Sequence, residues 1–178
     1  MRKKRVIKKR SIKPDGKFNS VMVSKLINKV MWDGKATQAK NIVYQGLDYS
    51  SKKLNQNPLS MLEEVVKSLK LELETKKWKF GGANRLIPKK IDSERSLCLA
   101  LRWLVWAARK KKNGKISDNL AREIIAVWED QKTLEETKVS AKGFKPKSEA
   151  FKKKQIEQKK VIESIAFASF NIKLDGQN

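Results

Sequence analysis

Lys70 to Ile91 reads K-L-E-L-E-T-K-K-W-K-F-G-G-A-N-R-L-I-P-K-K-I, and it decides the fold because almost everything around it carries helical periodicity and it does not. Leu71, Leu73 and Thr75 alternate with Glu72, Glu74 and Lys76, the period-2 pattern of a half-buried strand. Gly81-Gly82 supplies the backbone freedom for a tight reversal. Leu86 and Ile87 follow, and Pro88 forbids a helix there. The stretch is therefore a β-hairpin whose tip holds Lys76, Lys77, Trp78, Lys79, Phe80 and Arg85. Cations beside aromatic faces suit phosphate contacts and base stacking together. An ordinary solvated hairpin is the competing account, and these residues alone do not choose between the two.

Composition narrows the choice. The chain has 178 residues, enough for one domain with extensions. A chain of this length buries roughly 70% of its unfolded surface, so a core is possible. Lys+Arg number 42 against 19 Asp+Glu, a formal charge of +23. Such an imbalance repels itself in the folded state and favours a polyanionic partner, nucleic acid first and an anionic membrane surface second. Histidine is absent, which removes the usual general base and the commonest metal ligand. The single cysteine, Cys98, excludes internal disulfides and cysteine-rich zinc sites. Its apolar surroundings, Leu97 to Leu101, predict a buried helical thiol rather than a nucleophile. No cofactor and no metal are expected. No apolar run reaches the roughly 18 residues of a transmembrane helix, and the basic N-terminus has no apolar segment behind it to form a secretory signal.

On either side of the hairpin the chain is helical. Met1 to Lys17 is a basic arm: Arg2, Lys3, Lys4, Arg5, Lys8, Lys9, Arg10, Lys13 and Lys17 stand against one acid, Asp15. Free in water this arm is expected to be disordered and to order on a phosphate surface. Asn19 or Ser20 caps a first helix to about Trp32, with Val23, Leu26, Ile27, Val30 and Met31 on one face. Asp33-Gly34 ends it, Lys35 lies in the connection, and a second helix runs from about Ala36 to Ser50. Pro58 opens a third, amphipathic through Met61, Leu62, Val65, Val66 and Leu69. Beyond the hairpin, Asp92 or Ser93 caps a fourth helix with the stripe Leu97, Leu101, Leu104, Val105 and Ala108. Trp103 and Trp106 cannot share its face, so at most one enters the core. The run Arg109-Lys110-Lys111-Lys112 exceeds what the helix dipole needs and favours a phosphate site. Ser117 or Asp118 caps a fifth helix carrying Leu120, Ile124, Val127 and Trp128. The pattern is lost from Thr133 to Lys147, where Gly143 and Pro146 act as breakers, and a charged last helix begins near Ser148.

The order of short motifs resembles one family. P-D-G-K-F at Pro14 to Phe18, M-W-D-G-K at Met31 to Lys35, A-x-x-I-V-Y at Ala39 to Tyr44 and G-G-x-x-x-x-I-P at Gly81 to Pro88 match it. So do R-x-x-x-x-A-L-R-W-L-V-x-A-A-R-K at Arg95 to Lys110 and L-A-x-E at Leu120 to Glu123. Over about residues 1–132 the chain resembles the bacterial or organellar small-subunit ribosomal protein seven family. The resemblance implies a mainly α fold, a bundle of about six helices with one protruding β-hairpin, to which the residues themselves add a basic N-terminal arm and an extended C-terminal helix. It divides the chain into an arm at 1–17, a helical core at 18–132 with the hairpin at 70–91, and a lysine-rich extension with the last helix at 133–178.

The same resemblance implies a structural protein, not an enzyme. It would bind the 3′ major domain of small-subunit rRNA, aid assembly of the subunit head, and hold its hairpin near the exit-site tRNA and the messenger path. Neighbouring head and platform proteins would be further partners, and no membrane. The RNA-facing positions it implies are the arm cations, Lys35, the hairpin lysines Lys76, Lys77 and Lys79, and Arg95, Arg102, Arg109, Lys110 and Lys111, to which the reading of the hairpin tip adds Trp78 and Arg85. The chain departs from the family pattern at Arg85, where an aromatic is usual, at Ser96, where a second basic residue is frequent, and at Trp106, where an acid is usual. Arg85 shifts the tip towards charge and away from stacking. A lysine-rich insertion between Thr133 and Lys160 points to a mitochondrial rather than a bacterial ribosome. Two rivals remain at this stage. One is a free-standing RNA-binding translational repressor. The other is a membrane-surface protein using the amphipathic Lys152 to Phe170 segment. Catalysis is the weakest reading, because the neighbouring pairs Glu63-Glu64 and Glu135-Glu136 do not face one another on a helix.

Overall fold

The computed structural model describes residues 11–80, 83–112, 114–137 and 145–168. The expected arm cations from Arg2 to Arg10, the Gly81-Gly82 reversal, the breaker Gly143 and the chain after Ala168 lie outside them. The elements run α1 (Val21–Val30), α2 (Ala36–Leu54), α3 (Pro58–Leu69), β1 (Leu73–Phe80), β2 (Ala83–Lys90), α4 (Ser93–Lys110), α5 (Ile116–Thr137) and α6 (Glu149–Ala168). Among the described residues, six helices and one antiparallel hairpin form the architecture that the periodicities predict.

The helices assemble because each carries one apolar stripe. α5 lies at the centre and packs on α2, α3, α4 and α6. Its Leu120, Ile124 and Val127 meet Leu47 and Val43 of α2, Met61, Leu62 and Val65 of α3, and Leu101 and Leu104 of α4 in one buried cluster. Burial of side chains this size contributes roughly 1.5–3 kcal/mol each before entropy is counted. Gly46 permits the close approach of α2 to α5: a Cβ there would stand 3.2 Å from the Ser117 carbonyl oxygen. Ser50, one turn on and also buried, donates its hydroxyl to the Gly46 carbonyl at 2.8 Å.

Several boundaries differ from those expected. α1 stops at Val30, because Met31 is already extended and Asp33 and Gly34 adopt positive φ (49° and 71°). Ser20 sits at the N-cap position without a side-chain cap bond. α2 continues to Leu54 and ends where Asn55 turns left-handed. α3 begins as expected, with Asn57 accepting the Leu59 N–H and Pro58 in the first turn. Strand β1 starts at Leu73, not Leu71, since Leu71 is buried in the helical core. α5 extends to Thr137, past the loss of periodicity at Thr133. Trp103 is buried and Trp106 exposed, so one tryptophan enters the core and one does not. Cys98 is half-buried rather than buried.

Candidate nucleic-acid interface

An isolated hairpin is marginal in water, so this one needs a mount. Ser96 provides it from the first turn of α4. Its buried hydroxyl accepts the Leu71 N–H at 3.1 Å and donates to the Leu71 carbonyl at 2.7 Å. The Ile91 N–H donates to the Glu72 carbonyl at 2.9 Å and closes the neck. α6 packs along both strands. The strand bases are consequently half-buried at Leu73, Glu74, Thr75, Ile87 and Pro88, while Lys76 to Lys79 and Asn84 to Leu86 are exposed.

Register decides what the tip presents. Lys77 pairs with Leu86 and Lys79 with Asn84 on one face, and Lys76 pairs with Ile87 and Trp78 with Arg85 on the other. Directly opposed residues share a face. Cations therefore occupy both faces, and Arg85 stands opposite Trp78, which is 55% exposed. The residue expected to replace stacking with charge lies beside an indole that keeps its own surface open.

The remaining candidate cations divide by their present partners. Lys35 is exposed at the corner before α2, and Arg102 is exposed on α4. Arg95 bonds Glu74 of the hairpin at 3.3 Å. Such exposed pairs contribute little and exchange readily for a phosphate. Arg109 donates to the Val30 carbonyl at 3.1 Å and lies 5.0 Å from the centre of the Trp32 ring. Lys110 pairs with Glu149, whose carboxyl is held below its ordinary value first by that bond and then by Lys152. Lys111 is the most committed: its ammonium is 2.7 Å from the carboxylate of Glu123, which has no exposed surface. Lys154, from the lysine-rich segment, points inward, donates to the Ser68 carbonyl, and is pushed by burial below the usual lysine range.

Three structural determinants are not visible as such in the chain. Asp15 is buried at the root of the arm. It accepts the N–H groups of Lys17, Phe18 and Ser20 at 3.1, 2.9 and 2.9 Å, and the Tyr44 hydroxyl at 3.2 Å. Lys17 pairs with Asp48 at 2.6 Å and lies over the rings of Phe18 and Tyr44. The arm thus leaves the bundle from a fixed point on α2. Glu123 and Asp130 of α5 bind the start of α6. Trp32, 66% exposed, follows the last apolar position of α1, and that location outside the stripe is the sequence signal that marks it. Among the described residues no group of three or more His, Cys, Asp or Glu could hold a metal ion, and no helix is long and apolar enough to cross a membrane.

A rigid helical frame that holds out a basic hairpin, a fixed arm root and a cationic helix end is a scaffold of the class that meets polyanions over a wide surface. The chain belongs to the ribosomal protein S7p/S5e family, whose family model matches residues 1–164. That match runs into α6, further than the quoted motifs reach. The chain is 43% identical over 133 residues to small ribosomal subunit protein uS7 of Thermotoga maritima, covering 75% of this chain and 85% of the relative. It is 45% identical over 116 residues to the Dictyoglomus turgidum uS7, covering 65% and 74%. To the uS7 of Chloroflexus aggregans it is 37% identical over 133 residues, covering 75% and 85%. These relatives are bacterial and give no support to a mitochondrial ribosome, an expectation that rested on the insertion alone.

Proposed function

We propose that this chain is a structural constituent of the small ribosomal subunit, resident on the ribosome, where it binds the 3′ major domain of the rRNA and aids assembly of the head. Its partners are that rRNA, adjoining head and platform proteins and, through the hairpin, exit-site tRNA and messenger. No catalytic step is assigned to it. The observation that carries the reading is the mounting of the hairpin. Ser96 and α6 fix its base, so the exposed Lys76, Lys77, Trp78, Lys79 and Arg85 are projected without a folding cost at binding. Membership of the family supplies the subunit.

Filter binding tests the reading with transcripts of the 3′ major and 5′ domains of a bacterial small-subunit rRNA. The 3′ major domain should bind markedly tighter. The logarithm of its affinity should fall steeply and linearly with the logarithm of salt, by about 0.7–0.9 per neutralised phosphate. Equal affinity for the two transcripts would contradict the assignment to the head.

A further inference from the structure

The last turn of α4 holds two consecutive cations, each against a different exposed tryptophan. Arg109 lies 5.0 Å from the centre of Trp32, and Lys110 lies 5.4 Å from that of Trp106. Lys153 of α6 adds a second ammonium 5.8 Å from the Trp106 ring. Trp32 is 66% exposed and Trp106 43%. Single exposed apolar side chains are ordinary on a protein surface. Two indoles steadied by cations, beside Lys111 and Lys112 in a chain of charge +23, are a different arrangement.

We infer that Trp32 and Trp106 are stacking platforms for unpaired RNA bases, which the α4 cations hold ready. The extended backbone at Met31 and the left-handed turn at Asp33-Gly34 carry Trp32 clear of the α1 stripe. Arg109 is itself fixed by its bond to the Val30 carbonyl. The ring is thus ordered by a cation before any partner arrives, while most of its surface stays open. A planar base completes the stack and brings its phosphate into a basic neighbourhood. Duplex RNA hides its base faces, so the fitting partner is a junction, bulge or loop. An acidic protein surface could satisfy the cations, but it has no use for two indoles held in this way. The inference rests on the reading of the chain as an rRNA-binding protein, and extends it from phosphate contacts to bases.

The test uses the full chain and the 3′ major domain transcript, with Trp32→Ala, Trp106→Ala and the double Trp→Phe variant. Lys76→Ala with Lys77→Ala in one protein serves as a phosphate-contact control. Each alanine should weaken binding about tenfold and leave the salt slope unchanged. The lysine control should weaken binding and lower the slope by about 1.5. In the unaltered protein, RNA should quench tryptophan fluorescence, and the double Trp→Phe variant should bind more weakly than the unaltered protein but more tightly than either alanine variant, and should lose the part of the quenching that does not come from Trp78 of the hairpin. Alanine variants that bind like the unaltered protein, while the lysine control is weakened, would overturn the stacking inference and leave the rRNA reading standing. So would an unquenched complex, a readout that needs no variant to fold. Failure of the unaltered chain to bind the transcript would remove both.

Discussion

Asp15 is the one acid of the basic arm, and its surroundings explain why a carboxylate stands there. Burial alone would raise its pKa. Three backbone donors and the Tyr44 hydroxyl outweigh burial and hold the group below its ordinary value. A carboxyl whose folded pKa is depressed stabilises the fold above its unfolded pKa, and this contribution is lost as pH falls through the folded value. Resistance to urea should therefore decline below about pH 4 in the unaltered protein. Asp15→Asn should cost about 2 kcal/mol at neutral pH and flatten that decline. Denaturation curves across pH 2.5–6 read both effects, and an unchanged acid limb in the variant would remove Asp15 from the account. The motif P-D-G-K-F was legible as a turn. Its partners were not, because Tyr44 lies 29 residues away and meets it only once α2 has packed.

At the scale of the element, α6 depends on a latch set in α5. The first turn of a helix leaves four N–H groups without partners. Asp130 accepts the N–H groups of Lys147 and Ser148 just ahead of the helix at 3.0 and 2.9 Å, and within its first turn Glu123 accepts that of Ala150 at 2.9 Å and the Ser148 hydroxyl that of Phe151 at 3.2 Å. Lys111 compensates the buried charge of Glu123. Glu123→Ala leaves the buried Ala150 N–H without its acceptor and the half-buried Lys111 without its partner, and should cost about 1–3 kcal/mol. Amide exchange should quicken throughout α6 and along the hairpin base it covers, while α1 to α3 keep their protection. Uniform loss of protection would show that Glu123 supports the whole core instead. The elements themselves were readable: strand alternation gave the hairpin, and the 3.6-residue stripes gave the helices. The latch was not. Glu123 appeared only as the end of L-A-x-E, and its acceptor role exists only after α6 returns across the lysine-rich segment. Ser96 stands out in the sequence only as a departure from the family's frequent second basic residue, and its role as the hairpin mount is not legible there, since a serine on the buried side of α4 signals nothing until Leu71 is placed against it.

At the scale of the molecule, a charge of +23 announced a polyanionic partner but could not sort the cations that meet it from those that hold the fold. Lys111 and Lys154 belong largely to the second group, and Lys35, Lys76, Lys77, Lys79 and Arg102 lie exposed. The difference lies in which side of each helix faces a neighbour, and composition carries no such information. The central claim is that this frame serves as a part of the small subunit rather than as a free RNA-binding repressor. Sucrose-gradient sedimentation of tagged chain in lysate at physiological salt tests that claim most directly. Almost all of the chain should travel with small subunits and whole ribosomes, and should leave them when salt is raised. A chain that stays at the top of the gradient, with small subunits present and intact, would contradict it.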